Sequence, residues 1–170
     1  MQLTDDNTIG EAKTVLRENW EKGVECPCCT QLVKLYSRKL YSVMAVMLIK
    51  LYKYDKQHPS EYVHVSELMW KGQTANYDFS KLRYWGLIAE KTKDADANKR
   101  TSGYWAITDK GRDFVEGRRS ISKYVQLFDS KKFGYTGEQV TIKDALGDDF
   151  DYRELMGDLA SREPEQGSLL

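Results

Sequence analysis

The stretch Val43 to Ile49 constrains this 170-residue chain most, because it is an unbroken apolar run inside a longer helical pattern. From Thr30 to Tyr54, apolar or aromatic residues fall at Val33, Tyr36, Leu40, Val43, Met44, Met47 and Leu51, mostly three or four apart. The spacing predicts one long helix, or two in tandem. Around Val46, Leu48 and Ile49 such a helix is apolar on almost every side, which is stable only when more than one face is covered. It is expected at the centre of a core or in the seam of a dimer. The run is far shorter than the roughly 20 residues that cross a bilayer. The start, Met-Gln-Leu-Thr-Asp-Asp, has no basic stretch leading into an apolar run, so no secretory signal is read there. The expectation is a cytoplasmic protein without a membrane span.

Punctuation after the helix divides the chain further. Gln57-His58-Pro59-Ser60 breaks the helix, since proline restricts the residue before it and lacks a backbone donor. A short strand over Glu61–Val65, a short helix from Ser66 to Trp70, and a helix capped by Thr74 and stopped at Gly86 are predicted next. Leu87–Lys93 and Thr101–Thr108 read as two strands around the polar turn Asp94-Ala95-Asp96-Ala97-Asn98. Thr108 then suits the cap of a helix ending at Gly117. Beyond Ser120, Tyr124–Phe128 and Phe133–Tyr135 suggest a second hairpin. Thr141 is expected to cap a helix through Leu146, and Asp151-Tyr152-Arg153-Glu154 has capping-box spacing before a helix ending near Ala160. The polar residues 161–170 read as a disordered tail. The segments are then 1–30 with a cysteine knuckle, 31–119 as the main domain, 120–160 as an extension, and 161–170.

Net charge is zero, but its distribution is uneven. Residues 1–30 hold three Lys/Arg and six Asp/Glu, and residues 125–170 hold five and ten. Residues 31–70 hold six basic and three acidic groups, and residues 71–124 hold twelve and seven. A basic middle lies between acidic ends, which suits a polyanionic partner and is also within the ordinary variation of surface charge.

The motif Ser80-Lys81-Leu82-Arg83-Tyr84-Trp85-Gly86-Leu87-Ile88, followed by a hairpin and Tyr104-Trp105-Ala106-Ile107-Thr108-Asp109-Lys110-Gly111, resembles winged-helix regulators of the multiple-antibiotic-resistance-repressor type. In those proteins a recognition helix ends in glycine, Gly-Leu-Ile opens the wing, and Ile-Thr-x-Lys-Gly leads into the next helix. The match covers about 80 residues. More of the chain resembles small bacteriophage-encoded proteins that join an N-terminal Cys-Pro-x-Cys segment to such a domain and end like Val140-Thr141-Ile142-Lys143-Asp144-Ala145-Leu146. The resemblance implies an α+β fold. Its core would be a winged helix-turn-helix with a long N-terminal helix and a C-terminal extension of a β-hairpin and short helices. The likeness to winged-helix regulators implies binding to double-stranded DNA, and the second likeness implies only a phage origin; together they give the expectation of a phage-encoded transcriptional regulator.

On a helix from Thr74 to Trp85, a rotation of about 100° per residue puts Ala75, Phe79, Leu82 and Trp85 in one sector. The opposite side presents Asn76, Tyr77, Ser80, Lys81, Arg83 and Tyr84. Arg and Lys suit guanine acceptors, Asn suits adenine, and Ser or Tyr reach bases or backbone. Asp78 projects towards the apolar sector, where it needs a partner such as a lysine. The hairpin adds Lys91, Lys93, Lys99 and Arg100 for the phosphate backbone or minor groove. Asp94 and Asp96 offset part of that charge.

Cys26-Pro27-Cys28-Cys29 holds a C-x-x-C pair, the spacing with which two thiolates share one zinc ion. It is half of a tetrahedral site. Cys26, Cys29, His58 and His64 could complete a two-cysteine, two-histidine set, or two such turns could meet across a homodimer. Three free thiols in a reducing compartment are the alternative, and a redox dithiol lacks the usual preceding strand pattern.

No phosphate-binding glycine loop, Gly-x-Ser-x-Gly elbow or His-Glu-x-x-His helix occurs in the sequence. The acidic group Asp148, Asp149, Asp151 and Glu154 coincides with a helix start, where carboxylates are favoured electrostatically. No enzyme activity is expected. The rival to DNA binding is a protein-interaction module, such as an inhibitor of a host enzyme or defence system, that uses the winged helix as a scaffold.

Overall fold

The computed structural model describes residues 3–70, 78–92 and 102–157. In chain order its elements begin with α1 (Ile9–Asn19), β1 (Val24–Glu25), β2 (Leu32–Val33), β3 (Tyr36–Lys39) and α2 (Ser42–Gln57). They continue with β4 (Val63–His64), α3 (Val65–Leu68), a 3-10 helix (Phe79–Trp85), β5 (Ile88–Glu90) and β6 (Tyr104–Ile107). The last are α4 (Asp109–Val115), β7 (Ile121–Phe128), β8 (Lys131–Val140), α5 (Ile142–Leu146) and α6 (Tyr152–Met156). The fold is mixed α+β with small antiparallel sheets.

The chain forms two compact units, Met1–Lys39 with Tyr124–Gly137, and Leu40–Lys123 with Glu138–Leu170. This division differs from the expected segments, since residues 120–160 are shared between the units. In the first unit, α1 starts with a capping box: the Thr8 side chain accepts from the Glu11 N–H while Glu11 accepts from the Thr8 N–H. Trp20 ends that helix and packs against Phe128 and Phe133 at ring separations of 5.9 and 5.0 Å. β3 pairs antiparallel with β7, Tyr36 opposite Leu127 and Lys39 opposite Tyr124, and β8 lies on the far side of β7. Asp129 and Ser130 both take positive φ, +48° and +56°, as a two-residue hairpin turn of type I′ requires.

The long helix expected from Thr30 begins only at Ser42. Residues 32–33 and 36–39 are strands instead, because β7 and β1 offer ladders to them. The spacing of Val33, Tyr36 and Leu40 fits a helix locally, but strand pairing decides the conformation, Val33 lying opposite nearby Val24 and Tyr36 opposite the distant Leu127. α1 was not anticipated, although its Thr8-x-x-Glu11 box is written in the sequence.

In the second unit, α2 buries Met44, Ala45, Val46, Met47, Leu48, Ile49, Leu51 and Tyr52. It contacts α4, α5, α6 and β6, so its all-round apolarity is met within one chain. β5, β6 and β4 form a three-stranded sheet in the order β4-β6-β5. Ile88 lies opposite Ile107, Ala89 opposite Ala106, and Val63 opposite Trp105. The short helix α3 is capped by the His64 ring rather than by Ser66. Thr108, Thr141 and Asp151 cap α4, α5 and α6 as expected.

Candidate nucleic-acid interface

The 3-10 helix Phe79–Trp85 positions the candidate surface, and burial of one side determines what the other presents. Phe79, Leu82 and Trp85 are each at most 1% exposed. The Trp85 indole N–H donates to the Ser122 carbonyl at 2.7 Å, which locks the end of the helix. Gly86 follows at φ +73°, a left-handed conformation that a side chain would disfavour, and its N–H returns to Arg83 and Leu82 carbonyls. Leu87 and Ile88 then enter the sheet fully buried.

The junction with α4 is equally determined. The Thr108 hydroxyl donates to the Gly86 carbonyl at 2.6 Å and accepts from the Gly111 N–H at 3.0 Å. One side chain therefore joins the glycine stop to the helix cap. Gly111 lies so close to the strand start that a Cβ there would sit 2.2 Å from the Leu87 carbonyl oxygen.

On the outward side, Ser80, Lys81 and Tyr84 are half-buried and Arg83 is exposed. Lys81 pairs with Asp78, the lysine contact expected for that carboxylate, but Asp78 stands half-exposed at the helix start rather than within the apolar sector. Arg83 lies over the Tyr84 ring at 5.0 Å, donates to its hydroxyl at 3.2 Å, and reaches Glu90 on β5 at 3.6 Å. Helix and hairpin are thereby linked. The backbone N–H of Lys91 donates to the Tyr104 carbonyl, and its ammonium lies 5.9 Å from the centre of the Tyr104 ring. Asn76, Tyr77, Lys93, Lys99 and Arg100 lie outside the described residues. Ser80, Lys81, Arg83 and Tyr84 are thus brought together on one short helix, with Lys91 just past the end of the strand that follows it.

Glu90 and Tyr104 are the members that sequence reasoning passed over. Both sit on the β5–β6 ladder, Glu90 opposite Trp105 and Tyr104 next to Trp105 in the chain.

Among the described residues no group of three or more His, Cys, Asp or Glu could hold a metal ion. His58 stacks on Tyr54 at 4.6 Å and faces Glu61 at 3.7 Å. The His64 Nδ1 receives the Ser66 N–H, and its Nε2 lies against Gly103. Each histidine thus has a local role. Cys26 is half-buried, Cys28 and Cys29 are exposed, and all three thiols are free. The backbone N–H groups of Cys28 and Cys29 face the Cys26 sulfur and hold its thiol below the ordinary range.

None of the described helices is long and apolar enough to cross a membrane. No family model matches the chain, and neither a curated protein nor a solved structure resembles it significantly.

Proposed function

We propose that residues 40–123 form a winged helix that binds double-stranded DNA, with Ser80, Lys81, Arg83 and Tyr84 facing the groove and the β5–β6 hairpin serving as the wing. The observation that carries this reading is the sharp two-sidedness of Phe79–Trp85: three side chains sealed in the core and four polar, basic or aromatic ones on the remaining surface. The order of elements from α2 to α4, and a net basic middle of the chain, support it. In this reading Arg83 and Lys81 exchange their intramolecular carboxylates for phosphates or guanine edges on binding, which accounts for their being held ready rather than extended. A regulator of transcription is the biological role that fits such a surface.

Replacing both Lys81 and Arg83 by Glu tests the site directly. Binding of a labelled duplex, followed by fluorescence anisotropy at low salt, should be lost while α2 and the core keep their helical signal. Binding that survives the double reversal would remove this surface from the function.

The internal pairing of Lys81 with Asp78 and Arg83 with Glu90 gives a second reading some ground, because it partly neutralises the surface. In that reading the domain docks a protein. Recovery of one host protein, insensitive to nuclease, by a protein with no measurable affinity for DNA would favour it.

A further inference from the structure

The sheet of the first unit carries an exposed aromatic face on residues that take no part in the proposed duplex contact. Side chains alternate along a strand, so the pairing of β3 with β7 determines which residues share a side. Ser37 lies opposite Gln126 and Lys39 opposite Tyr124. The two-residue turn Asp129-Ser130 puts Phe128 opposite Lys131, and counting on from there Gln126 meets Phe133 and Tyr124 meets Tyr135. The ring contact between Phe128 and Phe133, at 6.1 Å, agrees with that shared side. Trp20, at the end of α1, joins the cluster through both of these rings. None of the five aromatic side chains is buried: Phe133 is 47% and Tyr135 39% exposed, and Trp20, Tyr124 and Phe128 are half-buried.

The opposite side of β7 is already the buried one, since Val125 and Leu127 are sealed there. Exposed rings with a charged rim mark an interaction surface, and here the rim is of one sign. The strand residues of this unit, 36–39, 124–128 and 131–137, include Arg38, Lys39, Lys131 and Lys132 and neither Asp nor Glu. Lys39 and Lys131 share the aromatic side, and the Lys132 ammonium on the edge strand lies 5.0 Å from the centre of the Tyr135 ring. Asp129 in the turn offsets part of the charge, 3.9 Å from Lys131. Aromatic rings on neighbouring strands, flanked by cations, complement a ligand whose flat apolar faces are strung along a chain of negative charges. Single-stranded nucleic acid has that chemistry, with bases that stack on aromatic rings and phosphates that meet Lys and Arg. A duplex keeps its bases stacked on one another and offers no free face to such rings.

We propose that this face binds single-stranded DNA, with Phe133 and Tyr135 stacking on successive bases and Lys39, Lys131 and Lys132 contacting the phosphates. Trp20 and Phe128 support Phe133 from within the cluster and keep its ring from folding back on the strand. The strand is taken as DNA because the second unit is read as a duplex-DNA binder, and that choice alone rests on the reading above. The face itself is independent of it, since it shares no residue with the 3-10 helix or the β5–β6 hairpin.

The test uses the full-length chain and a labelled oligothymidylate about ten nucleotides long, followed by fluorescence anisotropy at low salt. The unaltered protein should bind it, and should bind an abasic strand of the same length at least about tenfold more weakly, because that strand keeps the phosphates and lacks the bases. This comparison needs no variant and so does not depend on how well one folds. Tyr135→Ala and Phe133→Ala should each weaken binding about tenfold, whereas Phe133→Tyr, which keeps a ring, should retain it. The Lys81→Glu, Arg83→Glu double variant should bind the single strand as the unaltered protein does, even where it has lost the duplex, which separates failure of this proposal from failure of the duplex reading. An oligothymidylate that does not bind, an abasic strand that binds equally well, or indifference to Tyr135→Ala and Phe133→Ala would each overturn the proposal. So would loss of the single strand in the Lys81, Arg83 variant, a clear preference for oligouridylate, or self-association through these rings that excludes the oligonucleotide.

Discussion

Arg112 on α4 holds Asp55 on α2 in a two-point grip, with Nε donating to Oδ2 at 2.8 Å and Nη2 donating to Oδ1 at 3.0 Å. The Asp55 side chain is only 9% exposed, and its Oδ1 also accepts from the Ser60 N–H at 3.3 Å. The pair closes the C-terminal end of the central helix over the turn that leads to β4. Removing one partner leaves a buried charge without compensation. Arg112→Ala is expected to cost about 3 kcal/mol in urea denaturation.

The same pair sets an acid dependence. The Arg112 guanidinium, more than any other group, holds the Asp55 carboxyl below the usual aspartate range. A depressed native value means that the folded protein binds the proton less readily than the unfolded chain does. The stabilisation is therefore complete above the ordinary aspartate pKa, about 4, and is lost as pH falls from there through the lowered native value. Urea midpoints measured from neutral pH down to pH 3 should fall more steeply for the unaltered protein than for Asp55→Asn. Equal slopes would show that this carboxylate does not govern the acid limb.

Gly111 reverses a familiar expectation. Alanine in place of glycine inside a helix ordinarily stabilises by about 1 kcal/mol. Here the added Cβ meets a backbone oxygen 2.2 Å away, and that oxygen also accepts the Thr108 N–H. Gly111→Ala should destabilise by about 2 kcal/mol, because α4 must move off the start of β5. A rise in thermal midpoint would contradict the close approach.

Thr108 offers a milder test of the same junction. Thr108→Ala removes both the α4 cap and the bond to Gly86, with an expected cost of about 1–2 kcal/mol. Thr108→Ser keeps the hydroxyl and should recover most of that loss in the same thermal or urea measurement.

Local chemistry was legible in the sequence wherever neighbours in the chain decide the outcome. The caps at Thr108, Thr141 and Asp151, the stop at Gly86, and the burial of Phe79, Leu82 and Trp85 all follow from spacing and residue type. The strand Tyr36–Lys39 was not legible, because its ladder partner is Tyr124–Leu127 and a helical spacing survives by coincidence in between. Asp78 was assigned a lysine correctly, but its exposure depends on where the described helix begins. The salt link from Arg83 to Glu90 needs the helix and hairpin to be brought together, which no window of sequence contains. The packing of the two histidines against Tyr54, Glu61, Ser66 and Gly103 likewise depends on neighbours that residue type alone does not place.

The central claim, that the face of Phe79–Trp85 binds duplex DNA, is tested most directly by the salt dependence of binding. Affinity for a labelled duplex, measured by anisotropy at rising salt, should fall with a log–log slope of about −4, the value for four or five phosphate contacts at about 0.9 per contact. Undetectable binding at low salt, or binding whose affinity is indifferent to salt, would contradict the account.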